Sequence, residues 1–310
     1  MYIVLQIYKI LRFLKNRIIY YFKNTNKYKK SFEYLKSIVD IKTLKKAEGR
    51  LRDIQIKSLN FAKELKDILE QNDITPIIAY GSLLGAYRHK GFIPWDDDMD
   101  FDLIREDYEK LIKLAQEKYI YIKRPMNRFW SMNKILEFED NLIRNNPGKL
   151  IFIHTNKMLQ VYKGTSLKDF CICDFFPLDF YADNYPYKEH LRYIRNIKKQ
   201  TEKINNYVLE IEYLEQERKS NRNIDANGNN LLYGIDGDPT YTNAMNYGEW
   251  LKRDYLYPLI KIKFEDTEFC APNCPEKFME HRYGSWKDFP TVIGEPHHIK
   301  YIDAFNKRRK

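Results

Sequence analysis

Long apolar runs are missing from this 310-residue sequence, and cysteine is scarce. No uninterrupted apolar segment approaches the roughly 20 residues that a bilayer-spanning helix needs, which excludes a transmembrane span of that kind. There are only four cysteines and no recognisable signal peptide, so we expect a reducing, cytoplasmic environment rather than a disulfide-rich secreted domain. No internal repeat is present, which excludes an architecture built from repeats.

Acidic residues are absent from the first 30 residues, which contain eight Lys or Arg and supply most of the net charge of +10. Apolar and polar side chains there recur at helical spacing: Ile3, Ile7, Ile10, Leu11, Leu14, Ile18 and Phe22 on one face, and Gln6, Lys9, Arg12, Asn16 and Lys23 on the other. This pattern predicts a basic amphipathic helix within residues 1–40. We expect residues 1–30 to contact the inner face of the cytoplasmic membrane peripherally. The alternative is that the apolar stripe packs on the rest of the protein.

The cysteines occur as two closely spaced pairs, Cys171 with Cys173 and Cys270 with Cys274. If the two pairs met in space they could bind zinc, but ordinary buried thiols are the commoner outcome of such spacing.

Residues 41–186 alternate between helical and strand patterns, which predicts a core of mixed α/β (α+β) class. Helices are expected at about 43–71, 83–89 and 106–118, and strands at 77–80, 98–103, 152–162 and 170–180. Residues 187–310 are expected to form a helical and loop region that completes the domain. Within that region we predict one long charged helix over 187–219 and an irregular insertion at 220–247. The predicted fold is therefore a mixed sheet flanked by helices.

The most informative segment is GSLLGAYRHKGFIPWDDDMDFD at residues 81–102. Asp98, Asp100 and Asp102 alternate with apolar residues, so the three carboxylates share one face of the predicted strand. Like charges this close are tolerated when a cation lies among them, and ligation by oxygen alone suits Mg²⁺ or Mn²⁺. Asp102 is expected to be either a further metal ligand or a partner of the ligands. A solvated acidic strand face is the alternative.

A phosphate-binding element is predicted just before these aspartates. Gly81 allows the backbone to turn sharply and approach a ligand, and Ser82 adds a hydroxyl and an amide at the start of a helix. Arg88, His89 and Lys157 are further candidates for binding phosphate. Arg88 ranks above His89 because a guanidinium binds phosphate in a bidentate manner.

Aspartates beside a phosphate-binding turn indicate metal-assisted phosphoryl transfer. Asp98 and Asp100 are the expected pair that bridges two ions. Asp174, on a separate apolar strand, is the expected third carboxylate, which would ligate the ion on the nucleophile side and accept the proton of the attacking hydroxyl. Asp174 could instead hydrogen-bond a neighbouring turn. Asp96 and Asp97 are expected to shape the turn before the strand.

Four motifs in this order resemble the LicD family, the bacterial relatives of fukutin and fukutin-related protein. They are YGSLLGAYRH at 80–89, GFIPWDDDMD at 91–100, CDFFPLD at 173–179 and YGSW at 283–286. Together they bracket roughly residues 50–290, and the first two form a long and specific pattern. The resemblance implies a nucleotidyltransferase-like core in which Gly81 and Ser82 hold phosphate. It assigns Mg²⁺ binding to the same three aspartates, 98, 100 and 174.

The resemblance also implies a reaction, the transfer of phosphocholine from CDP-choline to a sugar of a lipopolysaccharide, teichoic acid or related surface glycan or glycolipid. Fukutin-like members transfer ribitol phosphate from CDP-ribitol, so ribitol phosphate or glycerol phosphate is the alternative cargo. A choline donor would require an aromatic cage, for which Tyr87, Trp95 and Trp130 are nearby candidates. A polyol would instead need hydrogen-bonding side chains.

Two rivals belong to other functional classes. The first is a nucleotidyltransferase that uses a nucleoside triphosphate and releases pyrophosphate. It would be accompanied by a basic track across the domain if it acted on nucleic acid. The basic charge is instead concentrated at one end, so no nucleic-acid partner is expected. The second rival is a non-catalytic protein that binds glycan or membrane, and the presence of all three aspartates counts against it.

Overall fold

A computed structural model describes residues 33–34, 37–125, 129–236, 249–289, 298–299 and 302–303. The predicted amphipathic helix, and with it the expected membrane contact of residues 1–30, lies outside these residues. The chain divides into one compact unit of residues 1–44 and 287–290 and another of residues 45–286 and 291–310. In the first unit, residues Ile41–Thr43 form a 3₁₀ turn capped by Asp40, whose carboxylate accepts a hydrogen bond from the Lys42 amide. The second unit contains everything described below.

The described part of the second unit alternates helices and strands. Its helices are α1 (Gly49–Glu70), α2 (Tyr80–His89), α3 (Arg105–Lys118), α4 (Met132–Asn145), α5 (Tyr187–Thr201), α6 (Tyr207–Ser220), α7 (Arg253–Leu256) and α8 (Pro275–Tyr283). Its strands are β1 (Ile77–Ile78), β2 (Met99–Ile104), β3 (Ile120–Lys123), β4 (Ile151–His154), β5 (Leu159–Ser166), β6 (Asp169–Tyr181), β7 (Asn230–Tyr233), β8 (Leu251–Lys252), β9 (Ile260–Phe264) and β10 (Thr267–Ala271).

The strands of the described residues join in one mixed sheet, in the order β3-β4-β5-β6-β2-β1-β10-β9, with β7 pairing to β6 and β8 to β7. The pairs β3–β4, β2–β6 and β1–β10 are parallel, and the other pairs are antiparallel. Helices α1 and α3 pack on β2 and β6, α4 packs on β5, and α2 packs on β2. The predicted mixed sheet flanked by helices is confirmed.

Two predicted elements are each divided in the structure. The segment 152–162 contains the end of β4, a turn and the start of β5, because Thr155 and Met158 close a hairpin with a backbone hydrogen bond of 3.0 Å. The predicted long helix over 187–219 is two helices, α5 and α6. It breaks because the Asn206 side chain accepts hydrogen bonds from the amides of residues 208 and 209 and so caps the start of α6.

The carboxy-terminal region contributes strands as well as helices. The hairpin of β9 and β10 extends the sheet beyond β1, with Ile77 opposite Cys270. The described part of the predicted insertion at 220–247 includes β7, which pairs with β6, and residues 237–248 lie outside the description. The sequence analysis missed β9, although Ile260–Phe264 alternates apolar and basic residues as a strand does.

Two buried aromatic residues on one face of the β2–β6 pair explain why the acidic residues lie together on its other face. Phe101 and Phe175 lie opposite each other in the parallel register, their rings stack with centroids 5.5 Å apart, and both are fully buried. Since side chains alternate along a strand, the neighbouring Asp100 and Asp174 both point to the opposite face. Burial of the aromatic pair therefore fixes where the two carboxylates lie.

Candidate active site

Three aspartates converge where β2 and β6 lie side by side. Asp100 is the register partner of Asp174, and Asp98 lies two residues before Asp100 at the entry to β2. One carboxylate oxygen from each of the three lies within 4.8 Å of the corresponding oxygens of the other two. The strand pairing therefore brings together the three residues that the sequence analysis selected, although 74 residues separate Asp100 from Asp174.

The start of α2 lies against this cluster. A Cβ atom on Gly81 would come within 2.6 Å of Asp96 Oδ2 and 3.7 Å of Asp100 Oδ2, so a larger residue there would displace the Asp96 carboxylate. Ser82 is buried, and its hydroxyl oxygen accepts a hydrogen bond of 3.0 Å from the Asp100 amide. The predicted Gly-Ser turn is thus the first turn of a ten-residue helix, whose amides and dipole favour an anion.

Tyr80 opens α2 with a φ of 43°, in the left-handed region that a side chain with a Cβ rarely adopts. Its ring packs on Phe176 and Tyr233, with centroid separations of 4.4 and 5.2 Å. These contacts hold the tyrosine in place, and the unusual backbone directs the chain from β1 into the helix beside the aspartates.

The carboxylates of the cluster are crowded and buried. Burial, and after it the charges of Asp98 and Asp174, raises the pKa of Asp100 well above its usual range. Burial followed by the charge of Asp98 also raises the pKa of Asp174 to about 7. Asp96 lines the same cavity, and its pKa is raised by burial and then by the charge of Asp98. Carboxylates in this arrangement are stabilised as anions by a cation placed among them.

The donor set suits a hard divalent cation. Asp98, Asp100 and Asp174 offer oxygen atoms alone, which Mg²⁺ and Mn²⁺ prefer. Burial is the main cause of the raised pKa values of Asp100 and Asp174, and such an ion would relieve the repulsion between carboxylates that adds to it. The residues present therefore fit the metal that the sequence analysis expects.

A cavity of about 530 Å³ opens beside the aspartates. Its basic groups are Arg124, Lys157, Arg282 and His298. The guanidinium carbon of Arg282 lies 4.3 Å from the centroid of the Tyr80 ring, and its charge lowers the pKa of Asp100 against the dominant effect of burial. The cavity thus combines an acidic wall with cations able to meet a phosphate.

A buried polar chain runs from Asp174 along β5 towards α4. Gln160, opposite Asp174 in the antiparallel register, donates from Nε2 to Asp174 Oδ1 at 3.0 Å. Arg124 Nη2 donates to Gln160 Oε1 at 2.6 Å and lies 2.9 Å from Glu139 Oε1. Tyr162 donates to the same Glu139 oxygen at 3.1 Å. Because Gln160 donates to Oδ1, the Oδ2 atom of Asp174 is the carboxylate oxygen that Gln160 does not engage.

The segment at residues 298–299 closes one side of the cluster. Asp97 Oδ2 accepts the amide hydrogen of Ile299 at 2.8 Å, and His298 Nδ1 lies 3.3 Å from Asp97 Oδ1 and 3.6 Å from Asp98 Oδ2. Burial lowers the pKa of His298, but the hydrogen bond to Asp97 and the charges of Asp98, Asp97 and Asp174 outweigh it and raise the pKa to about 10. Asp97 therefore anchors a distant segment in addition to shaping the turn.

Two of the predicted phosphate ligands lie elsewhere, which corrects that prediction. Arg88 is buried, donates from Nη1 to the Trp286 carbonyl at 3.1 Å and from Nε to the ring of His89 at 3.0 Å, and neither residue lines the cavity. They lie near the end of α2, away from its first turn, so the helix carries them past the aspartates. Lys157 lines the cavity, and its binding of phosphate stays a prediction.

Asp102 is separate from the three-aspartate cluster. It is fully buried and faces a small pocket that Tyr233 and Arg282 also line. Burial raises the pKa of Asp102, and the charge of Arg282 opposes that rise. Of the two expected roles, the placement fits a partner of a cavity residue rather than a member of the cluster.

The nearby aromatic candidates for a choline cage also lie outside the cavity. Tyr87 hydrogen-bonds Glu276 and packs edge-on against Trp286, while Trp95 and Trp130 do not line the cavity either. The aromatic side chains that do line it are Tyr80, Tyr162, Phe170, Phe176 and Tyr283. They come from four separate parts of the chain, so sequence proximity to the aspartates could not identify them.

The cysteine pairs do not meet. Cys171 and Cys173 lie on β6, whereas Cys270 lies on β10, with β2 and β1 between those strands. Across the described residues, the groups of acidic, His or Cys side chains able to hold a metal ion contain no cysteine. The zinc alternative therefore has no support in the described structure.

Sequence reasoning missed Arg124, Glu139, Gln160, Arg282 and His298. Only Arg282 stood beside a recognised motif, the Tyr-Gly-Ser-Trp segment that follows it. Glu139 lies on α4, Gln160 on β5, Arg124 directly after β3 and His298 in a separate segment, and none of the four stands beside a recognised motif. Contacts between distant parts of the chain bring them to the cavity. In the described part of the chain no helix is both long enough and apolar enough to cross a bilayer.

Comparison with known proteins identifies the region that builds this site. A family model described as the nucleotidyltransferase domain of LicD, FKTN and FKRP matches residues 73–184. That range includes β1, α2, β2 and β6, and hence all three clustered aspartates.

Three curated relatives each match part of this chain. The "Lipopolysaccharide cholinephosphotransferase LicD" of Haemophilus influenzae is 40% identical over 62 residues, 20% of this chain and 23% of that protein. An uncharacterized protein of Rickettsia prowazekii is 27% identical over 132 residues, and one of Rickettsia typhi is 28% identical over 179 residues. These two matches cover 41% and 49% of this chain and 44% and 57% of the rickettsial proteins. In each case less than two thirds of the relative is matched.

The site geometry and the comparisons agree on the same segment of sequence. The aspartates, the first turn of α2 and the parallel pairing of β2 with β6 all fall within the matched residues 73–184. The resemblance inferred from the motifs is confirmed: residues 73–184 of this chain match the nucleotidyltransferase domain of the LicD family.

Proposed function

We propose that this protein is a metal-dependent phosphotransferase that moves phosphocholine from CDP-choline to a hydroxyl of a cell-surface glycan and releases CMP. The observation that carries the proposal is the convergence of Asp98, Asp100 and Asp174 at the first turn of α2, in a cavity of about 530 Å³. The Haemophilus influenzae relative is named as a lipopolysaccharide cholinephosphotransferase, which supports the choice of phosphocholine and of a lipopolysaccharide-type acceptor.

Asp98 and Asp100 would hold two Mg²⁺ or Mn²⁺ ions, with Asp174 completing the ligand set. Bound there, the ions would offset the negative charge of the diphosphate and of the oxygens that enter and leave. Donor binding and proton transfer would be carried out by side chains and backbone groups of the protein.

The group transfer is an exchange of one bond to phosphorus for another. The oxygen of the acceptor hydroxyl forms a bond to the phosphorus that carries choline, while the bond from that phosphorus to the oxygen of CMP breaks. CMP leaves with the electron pair of that bond, and the hydroxyl proton passes to Asp174 Oδ2. Gln160 engages the other oxygen of Asp174 at 3.0 Å and so fixes the orientation of the carboxylate.

The anionic donor would be bound by residues that line the cavity. The first-turn amides of α2, beginning at Gly81, favour a phosphate oxygen. Arg282 and Lys157 line the same space and supply positive charge. These residues replace Arg88 and His89 in the role that the sequence analysis assigned to them.

Release of CMP by the purified protein tests the proposal. The protein is mixed with Mg²⁺, isolated lipopolysaccharide or teichoic acid, and CDP-choline, CDP-ribitol or CDP-glycerol in turn. We expect CMP release with CDP-choline, and its loss in Asp98→Asn and Asp100→Asn. The matched control is Asp169→Asn on the same sheet, because Asp169 is exposed and pairs with Lys57 away from the cavity.

The rival functions predict other products. Pyrophosphate release from a nucleoside triphosphate, without CMP release from any CDP-alcohol, would favour a nucleotidyltransferase. Binding of glycan with no product from any donor would favour the non-catalytic alternative. CMP release with CDP-ribitol or CDP-glycerol alone would retain phosphotransfer and change the cargo.

We further propose that residues 1–30 bring the enzyme to its acceptor at the inner face of the membrane. The proposal rests on their eight basic and no acidic residues and on their amphipathic pattern. Deletion of residues 1–30 is expected to abolish co-sedimentation with anionic lipid vesicles while CMP release with a soluble acceptor persists. Unchanged sedimentation of the truncated protein would contradict it.

A further inference from the structure

We infer that the cavity wall formed by α4, β5 and the β5–β6 turn receives the trimethylammonium group of choline, and that this wall selects choline over a polyol. The inference rests on the proposed function. It assigns a binding role to side chains that the sequence motifs do not include.

Five apolar side chains line this wall. Met132, Ile135 and Leu136 project from α4 at helical spacing, and Leu167 and Phe170 come from the turn and strand that follow β5. Leu136 and Leu167 belong to a hydrophobic cluster distinct from the main core, against which Met132 and Phe170 also pack. These five side chains offer no hydrogen-bonding group.

Two aromatic faces lie within this wall. The rings of Tyr162 and Phe170 are nearly parallel, with centroids 5.9 Å apart and an interplanar angle of 18°. The Tyr162 hydroxyl is engaged by Glu139, so its ring is held in one orientation. Aromatic faces attract a quaternary ammonium electrostatically and also tolerate its methyl groups, a combination that a polyol does not exploit.

The guanidinium of Arg124, which lines the cavity beside this wall, is already neutralised. Arg124 and Glu139 are both more than nine-tenths buried and approach to 2.9 Å. Arg124 also donates to the Pro125 carbonyl at 2.9 Å and to Gln160 at 2.6 Å. Its positive charge is thus balanced by Glu139, and its Nη1 and Nη2 donors are directed at protein acceptors.

A polyol would lose hydrogen bonds at this wall. Its hydroxyl groups would leave water for side chains of Leu, Ile, Met and Phe, and a hydroxyl buried without a partner weakens binding by about tenfold. The trimethylammonium group has no hydrogen-bond donor or acceptor and loses none there. The chemistry of the wall therefore favours choline.

The position of the wall suits the length of the cargo. Neighbouring strands lie about 4.8 Å apart, and β5 is next to β6, the strand of Asp174. With the reacting phosphorus at the aspartates, the two-carbon linker of choline spans one strand spacing and places the ammonium over β5. Tyr162 and Gln160 both lie on β5, and both have register partners on the antiparallel strand β6.

Replacement of Phe170 provides the first test. Phe170→Leu keeps an apolar side chain and removes the aromatic face, so we expect the KM for CDP-choline to rise about tenfold with kcat little changed. Phe138→Leu is the matched control, because Phe138 lies on α4, packs on Trp130 and does not line the cavity. Inhibition by CMP should be the same in both variants and the wild type.

The Phe170→Leu experiment also tests whether the wall holds the cytidine base instead of choline. If Phe170→Leu weakened inhibition by CMP as much as it raised the KM for CDP-choline, the wall would hold the cytidine base and the inference would be overturned. An unchanged KM in an active Phe170→Leu enzyme would also overturn it.

Equilibrium binding to the wild-type protein gives a measurement that does not depend on turnover. Phosphocholine, its neutral isostere 3,3-dimethylbutyl phosphate and ribitol 5-phosphate are compared by calorimetry in the presence of Mg²⁺. We expect phosphocholine to bind most tightly, the isostere about tenfold more weakly and ribitol phosphate most weakly. Tightest binding of ribitol phosphate would overturn the inference whether or not the enzyme is active.

A second variant tests selectivity directly. Leu136→Gln adds a donor and an acceptor to the wall and is expected to raise the ratio of CDP-ribitol to CDP-choline turnover by about tenfold. An unchanged ratio in a folded Leu136→Gln protein would contradict the inference. Failure of the wild type to release CMP from any donor would instead count against the proposed function.

Discussion

Asp100 and Asp174 lie directly opposite each other on the parallel strands β2 and β6, and their carboxylates face the same cavity. Buried partners Phe101 and Phe175 occupy the next register position on the other face. The hydrophobic pairing therefore sets the acidic pairing, since a slip of one residue would bury the carboxylates in the aromatic core. The site depends on the strand register as much as on its own residues.

Removal of Asp174 is expected to affect both metal binding and proton transfer. Asp174→Asn should lower the rate of CMP release by about 10²–10⁴-fold, the usual range for loss of a general base, and should weaken Mn²⁺ binding. Turnover assays and Mn²⁺ titration followed by electron paramagnetic resonance measure the two effects. Retention of both properties in Asp174→Asn would remove this residue from the site, and Asp169→Asn on β6 serves as the unaffected control.

Gln160 is expected to act as a positioning residue for Asp174. Gln160→Leu removes the 3.0 Å hydrogen bond to Asp174 Oδ1 and leaves Arg124 without one acceptor. Loss of such an outer partner costs about 10–100-fold in metal affinity or activity. The Mn²⁺ dissociation constant should rise accordingly, whereas Gln200→Leu, at an exposed position on α5, should leave it unchanged. A Mn²⁺ affinity equal to that of the wild type would contradict this role.

Two glycines of α2 should respond differently to alanine. Gly81→Ala places a Cβ against the movable carboxylate of Asp96, so the protein should fold with nearly unchanged stability and lose most CMP release. Gly85→Ala would overlap the backbone carbonyl of Gly91, which cannot move independently, and should destabilise the fold by about 1–3 kcal/mol. Thermal denaturation and CMP assays on both variants test the contrast. A severely destabilised Gly81→Ala would show that the helix turn is structural rather than functional.

His190 should make the folded protein sensitive to acid. It is fully buried, it packs against Tyr181 and Trp250 with centroids 4.9 and 4.8 Å away, and neither ring nitrogen has a hydrogen-bonding partner among the described residues. Burial lowers its pKa to about 4. Because the unfolded chain binds the proton more readily, the contribution of neutral His190 is fully present above about pH 6.5 and declines as the pH falls towards 4.

The size of this effect can be measured by urea unfolding. Between pH 7 and pH 5 the titration of His190 should remove about 2 kcal/mol from the free energy of unfolding. His190→Phe keeps an aromatic ring in the same packing and removes the titrating group, so its loss over that interval should be smaller by about that amount. Equal losses in the variant and the wild type would show that His190 is not the group responsible.

The sequence alone determined the chemical identity of the acidic cluster. Asp98 and Asp100 are close in the chain, and strand alternation places them on one face without knowledge of the fold. The Gly81-Ser82 pair precedes a recognisable helix, and the apolar segment around Asp174 is long enough to predict a strand. These are local properties, governed by backbone geometry and hydrophobic alternation, and a linear pattern records them.

The tertiary structure decided which other residues share the cavity. Arg88 and His89 are near the aspartates in sequence, but α2 carries them away, whereas Arg282 is brought to the cavity from α8. Gln160 reaches Asp174 because β5 and β6 pair in one specific register. Contacts between distant segments depend on the packing of the sheet and its helices, which no local pattern of residues encodes.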